Sequence, residues 1–202
     1  MRPAGIILAC FVAVGGALAA TSCESPVDAA LLEEQGDEVS GVRTGEFHRY
    51  GQDCMACHGG YSSAPVFVAA GTVFATPDDD IPVSGAKVIL TDALGNTHAE
   101  TTNCAGNFFV QEREFEPQYP LNATIEYRLP GESSQTPVHR VVMGSRINRE
   151  GGCAFCHVAG PPSSTSPGWV YLEPTQPSTP FTVPTGKNGG QCEGGPSHGS
   201  VL

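Results

Sequence analysis

The chain has 202 residues, 40% of them hydrophobic and 15% charged, with 10 Lys and Arg against 21 Asp and Glu and a formal net charge of −11. That acidic balance argues against nucleic acid or anionic lipid as a direct partner, because both are held by an excess of basic side chains. The 25 Gly and 17 Pro point to many turns and few long helices.

Residues 1–22 open with Arg2 and continue as an apolar run from Ala4 to Ala20, with Ala17-Leu18-Ala19 near its end. The run reads as a bacterial export signal: it is short for a membrane span, and no basic cluster follows it. Cys23, in Ala20-Thr21-Ser22-Cys23, resembles the lipidated first residue of a bacterial lipoprotein, with ordinary cleavage after Ala19 as the alternative. The expected location is the periplasm or the outer-membrane surface of a Gram-negative bacterium, with the membrane reached through the lipid. Residues 23–44 are acidic and turn-rich, with a brief helical hint at Asp28 to Glu34, and read as a linker.

The segment 45–65 carries Cys54-Met55-Ala56-Cys57-His58, and a second copy of the pattern, Cys153-Ala154-Phe155-Cys156-His157, lies in 129–172. Cys-x-x-Cys-His is the attachment signature of c-type haem, and a chain of this composition meets it by chance with a probability of about 0.01, so two copies carry weight. Two thiols at this spacing add across the two vinyl groups of one porphyrin, and the adjacent histidine is then held under the iron. Cys54, Cys57, Cys153 and Cys156 are the expected thioether carriers, and His58 and His157 the expected iron ligands. A zinc site or a redox-active dithiol are the competing readings of paired Cys-x-x-Cys. Neither requires a histidine directly after the second cysteine in both copies.

Between the motifs, β-branched and apolar runs alternate with Gly, Pro, Asn and Asp. The pattern predicts strands at Val66 to Phe74, Ala86 to Thr91, Thr97 to Thr102, Asn107 to Arg113, Ala123 to Arg128 and Pro137 to Met143, hence a mainly β chain with a small antiparallel sandwich over 66–128. The stretches Gly71-Thr72-Val73-Phe74, Ile81-Pro82-Val83-Ser84-Gly85-Ala86-Lys87-Val88-Ile89-Leu90-Thr91-Asp92 and Thr101-Thr102-Asn103-Cys104-Ala105-Gly106-Asn107-Phe108 resemble the carboxypeptidase regulatory-like domain. The resemblance covers about Val66 to Tyr127 and implies a transthyretin-like or immunoglobulin-like fold that serves as a structural or adhesive module. Cys104 departs from that pattern. A β-sandwich flanked by two irregular c-type haem segments resembles exported di-haem cytochromes of metal-reducing and related bacteria. That likeness implies electron transfer, with other envelope redox proteins or a terminal acceptor as partners. The alternatives are a di-haem peroxidase-like oxidoreductase and an adhesive or sensory module with structural haem.

A haem iron that only passes electrons takes a second axial ligand. His48, six residues before Cys54, is the expected distal ligand of the first iron. For the second, His139 is favoured, with Met143 as the alternative, since the two lie four apart on a predicted strand and share one side of it. His98 reads as an exposed turn residue and His198 as part of the loose tail. Gly168 to Leu172 can form one more strand, whose Trp169 and Tyr171 either cover the second haem or pack on the sandwich. Residues 173–202 form a Pro-, Gly- and Ser-rich tail. With Cys10 in the export segment, Cys104 and Cys192 remain, and an oxidising compartment favours a disulfide between them over two free thiols.

Overall fold

The structure is a computed structural model that describes residues 45–78 and 80–181, with positions 29, 30, 32, 33 and 35. The export segment, Cys10, Cys23, Cys192 and His198 lie outside the described residues. In chain order the elements are α1 (Met55–His58), β1 (Phe67–Phe74), β2 (Lys87–Thr91), β3 (Thr97–Thr101), β4 (Asn107–Gln111), β5 (Asn122–Tyr127), β6 (His139–Val142), a 3₁₀ turn at Cys153–Phe155, and β7 (Val170–Tyr171). No helix among the described residues is long and apolar enough to cross a membrane.

The chain is mainly β, and its strands form two sheets, one ordered β4-β1-β7 and the other β3-β2-β5-β6. The pairings are antiparallel except β1 with β7, which run parallel through Val73 opposite Val170 and Phe74 opposite Tyr171. Period-2 alternation explains the second sheet. Val88 and Leu90 of β2 and Ile125 and Tyr127 of β5 point into the core, while Lys87, Ile89 and Thr91 are half-covered on the other face. Phe108 and Val110 of β4, with Val73 of β1, close the core from the opposite sheet.

β1 breaks the alternation, being buried at every residue from Val68 to Phe74. Its inner side packs in the sandwich, and its remaining surface is covered by chain from before β1 and after β6. Gly51 N–H donates to Thr72 Oγ1 at 2.7 Å, Ala70 N–H donates to the Gly151 carbonyl at 3.0 Å, and Trp169 packs on Phe74 with centroids 4.4 Å apart. A strand covered on both sides reads as a continuous run of small and apolar residues, as Val-Ala-Ala-Gly-Thr-Val-Phe does here.

The expected domain boundary at 128 does not divide the structure. β6 pairs with β5 from Thr124 opposite Val142 to Tyr127 opposite His139, and β7 joins β1. Without β6, the outer edge of β5 would present unpaired backbone groups, and pairing removes that exposure. Tyr127 fastens the C-terminal part as well, since its hydroxyl bonds the Leu172 carbonyl at 3.1 Å and Glu173 Oε1 at 2.7 Å.

One turn carries a pH dependence. Asp92, after β2, accepts from Leu94 N–H (2.9 Å), Asn96 N–H (2.8 Å), the Asn96 side-chain amide (3.0 Å) and Gln118 N–H (3.1 Å). Desolvation pushes its carboxyl up, yet these hydrogen bonds together outweigh it and leave the pKa below its ordinary 3.8. A depressed carboxylate contributes stability that is complete above the unfolded-state value and is lost as pH falls through the folded-state value. D92A should therefore lower the urea midpoint near neutral pH, and the difference from the parent chain should shrink below about pH 4.

Candidate functional site

Both Cys-x-x-Cys-His strings fold into the same local turn although one is helical and the other 3₁₀. In the first, Cys57 N–H bonds the Cys54 carbonyl at 3.2 Å and His58 N–H bonds the same carbonyl at 2.9 Å. In the second, Cys156 N–H and His157 N–H bond the Cys153 carbonyl at 3.2 and 2.9 Å. One turn of this kind brings residues three apart to the same side, so each pair of thiols faces one neighbourhood with the histidine beside it.

The two histidines are then fixed in the same way. His58 Nδ1 lies 2.7 Å from the Pro65 carbonyl, and His157 Nδ1 lies 2.9 Å from the Gly168 carbonyl. A carbonyl oxygen only accepts, so in the neutral ring Nδ1 carries the proton and Nε2 keeps the lone pair. This is the arrangement that orients a metal-binding imidazole. Phe67 stacks on His58 with centroids 4.0 Å apart and planes 3° apart, and Phe109 stacks on Phe67 in turn at 5.0 Å.

His48 Nδ1 also faces the backbone, but it accepts from the Gly45 N–H at 3.0 Å as well as touching the Gly45 carbonyl, so its tautomer is not set as at His58 and His157. Its ring centroid is 6.1 Å from that of His58, with 28° between the planes. The segment bearing His48 is clamped to the sandwich by buried amides. Asn103 Nδ2 donates to the Glu46 carbonyl at 2.6 Å, Asn107 Nδ2 donates to the His48 carbonyl at 3.1 Å, and Thr72 donates to Asn107 Oδ1 at 2.7 Å. No feature of the sequence pointed to these amides, because the carbonyls they hold lie more than fifty residues away in the chain. N107A leaves the His48 carbonyl and the Thr72 hydroxyl without their partner and should cost about 1–3 kcal/mol, measured by urea unfolding.

His98 and His139 are spent differently. His98 Nε2 is 2.8 Å from Glu100 Oε1, and His139 Nε2 is 3.0 Å from Glu132 Oε1, with the His139 ring on Tyr127 at 5.4 Å. Met143, by contrast, lines a cavity of about 660 Å³ together with His157, Cys153 and Cys156. The cavity opens between the sheets, with Phe108, Ile125 and Trp169 among its walls, and His139 does not line it. Its volume lies in the range of small-molecule and cofactor sites, about 300–1,000 Å³. Val142 and Phe155, at 61% and 64% exposure, are large apolar side chains on the same wall.

The two motifs, far apart in sequence, meet on β1. Gly152 bridges to Ala70, Cys153 packs on Gly71, and Gly152 also abuts Asp53, next to Cys54. Burial pushes the Cys54 thiol up to about 12, with the Asp53 charge adding to it. Burial likewise pushes the Cys153 thiol up to about 12, and here the neighbouring Cys54 and Asp53 charges add. Burial also raises the Asp53 carboxyl, against the lowering effect of its bond from Met55 N–H. A redox-active dithiol works through a depressed thiol, so both shifts run opposite to that reading. Among the described residues no three His, Cys, Asp or Glu side chains converge on one point.

Cys54, Cys57, Cys153 and Cys156 are free thiols, whereas Cys104 is disulfide-bonded. Cys192, its expected partner, lies outside the described residues. Trp169 packs on Phe74 of the sandwich, as one of its sequence readings has it, and also lines the cavity. Compared with protein-family models, with curated proteins and with solved structures, the chain matches none.

Proposed function

We propose that the chain is an extracytoplasmic di-haem c-type cytochrome that transfers electrons. The observation that carries this reading is the repeated unit: two identical Cys-x-x-Cys turns, each followed by a histidine whose Nδ1 is held by a backbone carbonyl and whose Nε2 is left to bind a metal. The donor sets fit the group. Cys54 and Cys57, and Cys153 and Cys156, would hold it covalently, with His58 and His157 as axial ligands. Bound there, haem supplies an iron that takes up and gives back one electron.

The protein's own residues account for the rest of the reading. Pro65, Phe67 and Phe109 hold the His58 ring in one orientation, and the Asn103 and Asn107 clamp keeps His48 beside it, where it would serve as the second histidine of the first site. The apolar walls around Phe108 and Trp169 keep water from one side of the second site, and Arg146 lines the cavity as a cation for carboxylates. The sandwich, with its likeness to the carboxypeptidase regulatory-like domain, serves as the scaffold. A net charge of −11 favours a basic redox protein of the envelope as partner. Export and lipidation at Cys23 belong to the same proposal, because attachment to Cys-x-x-Cys-His in bacteria takes place outside the cytoplasm.

Absorption spectra of the purified oxidised and reduced protein test it. Two low-spin haems per chain support electron transfer. A high-spin fraction that reacts with peroxide would move the reading to an enzyme, and a colourless protein from a host competent in haem attachment would end it.

A further inference from the structure

We infer that the two iron sites are chemically unequal, with His48 completing the first and Met143 completing the second. The inference rests on the di-haem reading and adds to it the identity of each sixth ligand. A side chain can complete an iron site only if its donor atom faces the space beside the proximal histidine and has no stronger partner of its own. His139 fails on both counts: its Nε2 is engaged by Glu132 Oε1 at 3.0 Å, and its ring lies against Tyr127, away from the cavity that contains His157. Met143 is the candidate that remains. Its backbone is pinned to β5 through Met143 N–H to the Ala123 carbonyl at 3.0 Å, just beyond the end of β6, and it lines the same cavity as His157 and the two cysteines of the second motif.

The strand geometry explains the difference. Met143 continues the pairing of β6 with β5 one step past Val142 and lies with Val141 along the cavity, while His139 at the other end of β6 is paired opposite Tyr127, beyond the cavity's lining. At the first site the two rings 6.1 Å apart are both histidines, each with Nδ1 on the backbone. Methionine with histidine raises the potential of a haem relative to two histidines. The two sites are neighbours on β1, so the chain holds a low-potential and a high-potential site side by side.

The test uses the full-length, haem-loaded protein and three variants: M143L, M143H and H139A. The oxidised parent should show a methionine-to-iron charge-transfer band in the red, and a redox titration should resolve two separate potentials. M143L, close in volume to the parent, should keep two haems per chain, lose the band and turn one haem partly high-spin. M143H should restore a fully low-spin spectrum and bring the upper potential down toward the lower one. H139A should leave the band, the spin state and both potentials unchanged. A band that is absent from the haem-loaded parent, a band that survives M143L, or loss of a low-spin haem in H139A would overturn the ligand assignment while leaving the di-haem reading in place. A colourless parent would overturn both.

Discussion

C153A/C156A should bind one haem per chain where the parent binds two, and it should unfold at a lower temperature than the parent. In the second motif Cys153 packs on the sandwich, but Phe155 and Cys156 are exposed, as is Val142, which lines the same cavity. These side chains line a cavity of about 660 Å³, and the proposed second haem would cover them. Without that cover the segment after Ile147 is tied to the sandwich chiefly by Gly151 and Gly152 on Ala70 and by β7 on β1. Haem content by the pyridine haemochrome assay and intact mass, with a thermal melt followed at the haem band and in the far ultraviolet, measures both effects. Retention of two haems would refute the assignment of these thiols.

G71A should produce a comparable loss at the second site from a substitution that replaces none of the expected haem-binding residues. A Cβ at Gly71 would stand 2.7 Å from both Cβ and Sγ of Cys153 and 3.3 Å from Phe108 Cε1. Neither neighbour gives way easily, since Phe108 is a core residue of β4 and Cys153 begins the 3₁₀ turn that orders the motif. Overpacking of this kind costs about 1–3 kcal/mol, and here the strain falls on the cysteine that must reach its thioether position. The expected outcome is a chain with the first haem attached, the second reduced or absent, and a urea midpoint below that of the parent. Tryptic mapping of haem-bearing peptides distinguishes the two sites, and full attachment at Cys153 would show that Gly71 does not position it.

Most of the β-structure was legible because it follows from short-range pattern. The six strands expected between the motifs, and the short one expected at Gly168 to Leu172, each overlap an observed strand, since alternation and turn residues decide a strand locally. Three things were not legible. The end of the sandwich was placed at 128, whereas β6 and β7 extend it, because edge pairing is a property of the neighbour strand and not of the segment itself. The Asn103 and Asn107 clamp on the His48 segment was invisible, since its partners are backbone carbonyls far away in sequence. The strand pattern set His139 and Met143 on one side of a strand and left either able to serve the second site, whereas which of them lines the cavity with His157 depends on where that cavity ends, a property of the whole fold.

The sequence by itself determined the two five-residue motifs, the thiol spacing within each, and the alternating strands between them, all of which depend on residues a few positions apart. Only the tertiary structure decided that the motifs share β1, that Nδ1 of His48, His58 and His157 faces the backbone while His98 and His139 spend Nε2 on glutamates, and that Met143 faces the second motif's cavity. The physical reason is range. A turn or a strand is specified by its own side chains, whereas the nitrogen a histidine has left to offer is settled by whichever distant carbonyl or carboxylate the fold brings against it.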